Sequence, residues 1–221
     1  NSITATIKAS GAPFSTLVLN NPMNLDKYST SFRKEINLGI YGTDLGYIGV
    51  YQRDDLIADH LKVIYDLAHD LDLGQFISED RIKNITANGL LSDSIISLTG
   101  DVFRQMDVYL RENDRYNASI LIMAGCWLEA MHIATSVAYN SKIPNETLKE
   151  KIAEQKIVLE KFILLLNNFE DQNFFAKLNH DLLELKLIYN GIEVNEDEIA
   201  KAKLDTTKAP VGLVDITDTQ L

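Results

Sequence analysis

The sequence predicts an all-α fold: a single-domain antiparallel bundle of about seven or eight helices, with non-helical segments at both ends. Three observations carry this. From Asp26 to about residue 203 the apolar residues recur with helical rather than alternating spacing. The breaks between these stretches are short, and short connections make consecutive helices antiparallel neighbours. In INLGIYGTDLGYIGVY, Gly39, Gly42, Gly46 and Gly49 step by three, four and three residues and so return to one helix face. A glycine inside a helix costs about 1 kcal/mol relative to alanine. Such a stripe therefore predicts a second backbone packed close along it.

Residues 1–25 read as an extended lead-in. ITATIK alternates apolar and polar residues like a short strand, while SGAPF and NNPMN are turn and loop chemistry. Helices follow near 26–52, 54–73, 78–88, 92–112, 117–140, 145–168, 172–189 and 195–203 within a bundle domain over 26–203. Gly74 and Gly89 stand where a left-handed cap would end a helix. Ser78, Ser92 and Asn117 are N-cap candidates, Pro144-Asn145 starts a helix, and Asn195 with Glu198 has capping-box spacing. Residues 204–221 read as an extended tail.

The 221 residues suffice for one fair-sized domain with its own core. A net charge of −11 with no basic, aromatic-interleaved stripe argues against nucleic-acid binding. The lone Cys126 excludes an internal disulfide and sits in an apolar run, where a thiol behaves as a small hydrophobe. The stretch from Ala118 to Tyr139 approaches a membrane span, yet it carries Glu129 near its middle and His132 one turn later. A helix buried by other helices explains it better.

Few residues point to chemistry. Asp44 lies opposite the glycine stripe among Ile40, Tyr41, Tyr47, Ile48 and Tyr51, where it is either bonded by tyrosine hydroxyls or faces a ligand cavity. Glu129 is a carboxylate on a helix apolar on nearly every face, beside Trp127, so its ionisation is a candidate for perturbation. A lysine or tyrosine on a neighbouring helix is its expected partner. Leu148, Ile152, Gln155, Leu159, Phe162 and Leu166 form a 4-3-4-3-4 seam that Gln155 interrupts, next to Lys156.

Glu129-x-x-His132 has the spacing of di-metal carboxylate bundles, with Asp66-x-x-His69 a weaker echo and Glu35 and Glu154 as nominal bridging carboxylates. Nucleophile-elbow, phosphate-loop, dinucleotide and zinc-cysteine motifs are all missing. His60 and His180 read as boundary or surface residues.

Three blocks carry a resemblance over about Gly11 to Leu166: the segment SGAPFSTLVLNNPMNLDKYSTSFRKEINLGIYGTDLGYIGVYQ, then LIMAGCWLEAMHIA, then EKIAEQKIVLEKFILLL. In these the chain resembles a family of helical, exported bacterial lipoproteins of the Bacteroidetes type with no assigned activity. Residue by residue, the blocks cover Gly39, Tyr41, Gly42, Asp44, Gly46, Tyr47, Gly125, Trp127, Glu129, Glu154, Gln155 and Lys156. His132 departs from the pattern, where an aromatic is common, and Cys126 stands for a glycine. These departures weaken the di-metal reading. The resemblance implies export, with a lost signal peptide and, ahead of Asn1, a lipidated cysteine that tethers the protein at the cell envelope.

Together these readings predict a non-enzymatic protein that binds a small molecule or a protein partner through Asp44, Tyr41, Tyr47, Trp127, Glu129, Gln155 and Lys156. They predict no cofactor, no metal ligands and no nucleic acid, with membrane contact only through the anchor. The alternatives are a ferritin-like di-metal protein and a structural or assembly scaffold.

Overall fold

The computed structural model describes residues 3–78, 80, 82–83, 92–141, 145–169 and 173–192. Among these there are eight α-helices and no strand, an all-α fold. In chain order they are α1 (Ile3–Ala9), α2 (Ser31–Val50), α3 (Ile57–Asp70), α4 (Ser92–Glu112), α5 (Tyr116–Asn140), α6 (Glu146–Ala153), α7 (Gln155–Asn167) and α8 (Asn173–Tyr189). Most of the helix expected over 78–88, the cap at Gly89, the helix at 195–203 with its Asn195–Glu198 cap, and the tail 204–221 lie outside the described residues.

The chain forms two compact units that part between Ser136 and Val137, inside α5. In the first, α2 packs against α3 and α4 around Leu38, Tyr41, Leu45, Ile48, Leu61, Ile64, Leu67, Val102 and Met106. In the second, α7 pairs with α8 over Leu159, Phe162, Leu166, Leu178 and Leu182. There the Tyr189 hydroxyl donates to the Ile152 carbonyl at 2.9 Å.

Five local expectations need correction. ITATIK is helical, not a strand: Ile3, Thr6 and Ile7 are buried at i, i+3 and i+4, a helical face that a six-residue alternation cannot be told from. Its Lys8 ammonium donates to the Val50 carbonyl at the C-terminal end of α2, a favourable place for a cation. The helix expected from residue 26 begins at Ser31 instead, after a 3-10 turn over Pro22–Lys27 capped by Asn21. Ser29, Thr30 and Ser31 offer hydroxyls that compete with helix formation there.

The helix expected over 145–168 is interrupted at Glu154. The Gln155 side-chain amide donates to the Lys151 carbonyl at 3.3 Å, the acceptor its own backbone N–H would use in an unbroken helix. Gly74 is not a left-handed cap. That role falls to Asp72 after α3, as it does to Gln52 after α2 and Asp114 after α4, all with φ between 56 and 58°. Asn117 lies inside α5 rather than capping it. Asn145 does cap α6, its side-chain oxygen accepting from the Leu148 N–H at 2.7 Å.

Candidate functional site

The glycine stripe begins the site. A Cβ on Gly39 would lie 2.0 Å from the Ile122 carbonyl oxygen, and one on Gly125 would lie 1.9 Å from that of Ile36. Helices α2 and α5 therefore touch backbone to backbone, and the Thr43 hydroxyl reaches across to the Cys126 carbonyl at 3.2 Å. Gly42 serves another end, leaving room for the Phe103 ring, and Gly46 faces open space. The second backbone predicted from the stripe is real at Gly39 and at no other ladder position for which a neighbour is resolved.

On another side of α2, four polar side chains tie down the segment Ser10–Tyr28, which we call the strap. The Tyr51 hydroxyl donates to the Ala12 carbonyl at 2.7 Å, and the Ser15 N–H donates to the Tyr47 hydroxyl at 3.2 Å. Asn20 donates to Asp44 Oδ2 twice, from its backbone N–H at 3.0 Å and its side-chain amide at 3.1 Å. The Tyr41 hydroxyl donates to the Asn21 carbonyl at 2.7 Å. The partners climb from 12 to 21 as the helix positions fall from 51 to 41, so the strap runs antiparallel to α2. Phe14 stacks on Tyr47 with ring centroids 5.2 Å apart, and the Arg53 guanidinium lies over the Phe14 ring, 4.7 Å from its centroid.

The tight α2–α5 crossing brings Glu129 against Asp44. Asp44 has no exposed surface and Glu129 has 5%. The two carboxyls stand in hydrogen-bonding contact, and Asn20 also bonds to Glu129. Burial, reinforced by the neighbouring carboxylate, raises the pKa of Asp44, and burial raises that of Glu129. Each carboxyl keeps one buried oxygen without a hydrogen-bond donor, Asp44 Oδ1 and Glu129 Oε1. Burial likewise raises the Tyr41 hydroxyl, lowers the pKa of His60 and pushes the Cys126 thiol up to about 12. His60 is buried on α3, with Nδ1 3.0 Å from the Leu56 carbonyl and the Asn20 carbonyl acting on it as well.

Of the predicted site residues, Asp44, Tyr41, Tyr47 and Glu129 gather around the strap. Trp127 is buried on α5 at 2% exposure. Gln155 and Lys156 belong to the second unit, where Gln155 is engaged with Lys151. The lysine or tyrosine expected beside Glu129 is in fact Asp44 with Asn20. Asn20 and His60 join the site without a sequence signal that marks them. Asn20 sits in a run whose only legible signal is turn chemistry, and nothing local ties it to Asp44.

Comparison of the chain with protein-family models, curated proteins and solved structures gave no match. The metal-ligand spacings do not assemble. His132 and His69 are exposed, and Asp66 pairs with Lys62 at 2.7 Å. Among the described residues no three His, Cys, Asp or Glu side chains group to hold a metal ion. Helix α5 is long and apolar enough to cross a membrane by length and composition, with 61% of its apolar window buried inside the protein.

Proposed function

We propose that this chain is a non-enzymatic, exported binding protein of the cell envelope that takes a protein partner on its strap. The observation that carries this is the exposure of Leu17 and Met23, 93% and 84%, on 3-10 turns of the strap. Scattered exposed apolar residues need no explanation. These two stand six residues apart on a segment whose backbone is tied to α2 from Ala12 to Asn21. A loop fixed in advance loses little conformational entropy on binding, which is what a recognition surface needs. Four of the groups expected to receive a small ligand, Tyr41, Asp44, Tyr47 and Glu129, bond to the strap instead, which favours the partner over the ligand. The resemblance of the three blocks to exported lipoproteins supports the envelope location.

Photo-crosslinking in cells tests the reading, with the crosslinker placed at position 17, at position 23 and at the exposed Lys62. The same adduct from 17 and 23, missing from 62, is the expected result. No adduct at either strap position, or equal capture at all three, overturns it. Native mass spectrometry of protein purified without metal or chelator should show the bare chain. A retained organic mass would restore the small-ligand reading, and a metal adduct lost on mutating Glu129 or His132 would restore the di-metal one.

A further inference from the structure

We propose that Asp44 and Glu129 hold a single proton between their carboxyl groups, and that this proton latches the strap to the α2–α5 crossing. The geometry of donors carries it. Asn20 supplies two hydrogen bonds to Asp44 Oδ2 and a further one to Glu129. That leaves one buried oxygen on each carboxyl, and ionised carboxylates have only acceptors to offer one another. Two touching, buried carboxylates cannot both stay charged, whereas one shared proton turns the contact into an O–H···O⁻ bond.

Among the described residues no lysine or arginine acts on the pair in place of that proton. The groups that act on the pair are Tyr41 on α2, with Tyr28 of the strap behind it, His60 on α3 through the Asn20 carbonyl, and His132 on α5. Burial keeps Tyr41 neutral and favours neutral His60, and His132 is exposed. Loss of the proton to solvent therefore leaves two like charges in a buried site. They separate only if one carboxylate moves or water enters, and either event breaks contacts to Asn20. The strap, fastened at Asn20 from inside, loosens as pH rises, while the α2–α5 contact, made of backbone and glycine, does not.

The latch predicts how the Asn20 amide exchanges its hydrogen. With the intrinsic base catalysis of exchange divided out, its protection by NMR should fall from pH 6 to pH 9, by up to tenfold per pH unit for one proton. The Leu45 amide, in the core of α2, should hold its protection. In D44N the new amide supplies the missing donor, so Asn20 protection should become independent of pH, and E129Q should do the same. A flat wild-type profile, or a D44N profile that falls in parallel with wild type, overturns the latch. The infrared spectrum gives a readout that needs no variant. Wild type at neutral pH should show a carboxylic C=O stretch whose shift in D₂O is slower than that of exposed groups, and its absence overturns the proposal. Where D44N or E129Q folds, the band should disappear.

Discussion

Two sides of α2 are held by opposite means. Toward α5 the contact is backbone on backbone, made possible by what Gly39 and Gly125 lack. Toward the strap it is polar, made by what Tyr41, Asp44, Tyr47 and Tyr51 carry. The first depends on distance and is indifferent to pH. The second depends on donors and acceptors, one of which is a proton that can leave. A single helix thus joins a rigid crossing to a fastening that solvent conditions can address, and substitution on the two sides should give responses that differ in size, sign and pH dependence.

The largest effect is expected at the crossing. Gly125→Ala puts a methyl group 1.9 Å from the Ile36 carbonyl oxygen, a backbone atom that cannot swing aside. Overpacking of this kind costs about 1–3 kcal/mol and occasionally more, and the upper end applies because backbone rather than side chain must give. Gly39→Ala should behave alike, with Ile122 as the obstacle at 2.0 Å. Urea unfolding at pH 6 and pH 8 should show the same loss at both. A loss that changes with pH would mean that the crossing and the carboxyl pair are not separable.

Next in size is the pH dependence of stability itself. Asp44 and Glu129 titrate above their ordinary acid range in the fold, so the folded chain binds more protons than the unfolded one between that range and the raised values. Their contribution is present in full below about pH 4 and is lost as pH rises through the window, at about 1.4 kcal/mol per pH unit for one proton. His60 has the opposite sign. Its lowered pKa makes the unfolded chain the better proton binder, so its contribution is lost as pH falls below the ordinary imidazole range and is complete above it. Opposed slopes predict a stability maximum in mildly acidic solution. Asp44→Asn should remove the alkaline limb and leave the acid one. Denaturant titrations over pH 4–9 that show D44N losing stability above neutrality as steeply as wild type would count against the pair as the cause.

The amount of this that the sequence displays differs between the two sides for a physical reason. Helical period, the apolar α5, the Asn145 cap and the close approach at Gly39 are local or one-helix properties, and they can be read from spacing. Asp44 is also legible as a buried acid that needs a partner. The identity of that partner is not, because Asn20 lies 24 residues earlier in a turn-rich run and Glu129 lies on another helix. Tyrosines one turn away look like the obvious donors, yet they point their hydroxyls at the strap backbone. The same limit explains ITATIK, where six residues fit either period until burial of Ile3, Thr6 and Ile7 decides.

A smaller loss should follow Tyr51→Phe. It deletes the donor to the Ala12 carbonyl while keeping the ring on Phe14, whose centroid is 5.5 Å away. A net hydrogen bond is worth about 1 kcal/mol. The loss should appear at the strap before it appears globally, as faster exchange of the Ser15 amide, with urea unfolding reporting the smaller global share. Unchanged exchange at Ser15 would mean that the aromatic stack alone holds this end of the strap.

The smallest effect has the opposite sign and separates the members of the glycine stripe. Gly46 lies in the same helix and the same ladder as Gly39, but a Cβ there meets no atom within 4 Å. Nothing in the described packing repays its conformational cost, so Gly46→Ala should stabilise the protein by up to about 1 kcal/mol through helix propensity alone. The shift in urea midpoint should be upward and equal at pH 6 and pH 8, since neither the crossing nor the carboxyl pair is touched. Destabilisation would show that the position of Gly46 is not open in the folded chain. Stabilisation combined with lost crosslinking at the strap would place the open side of Gly46 within the partner's footprint.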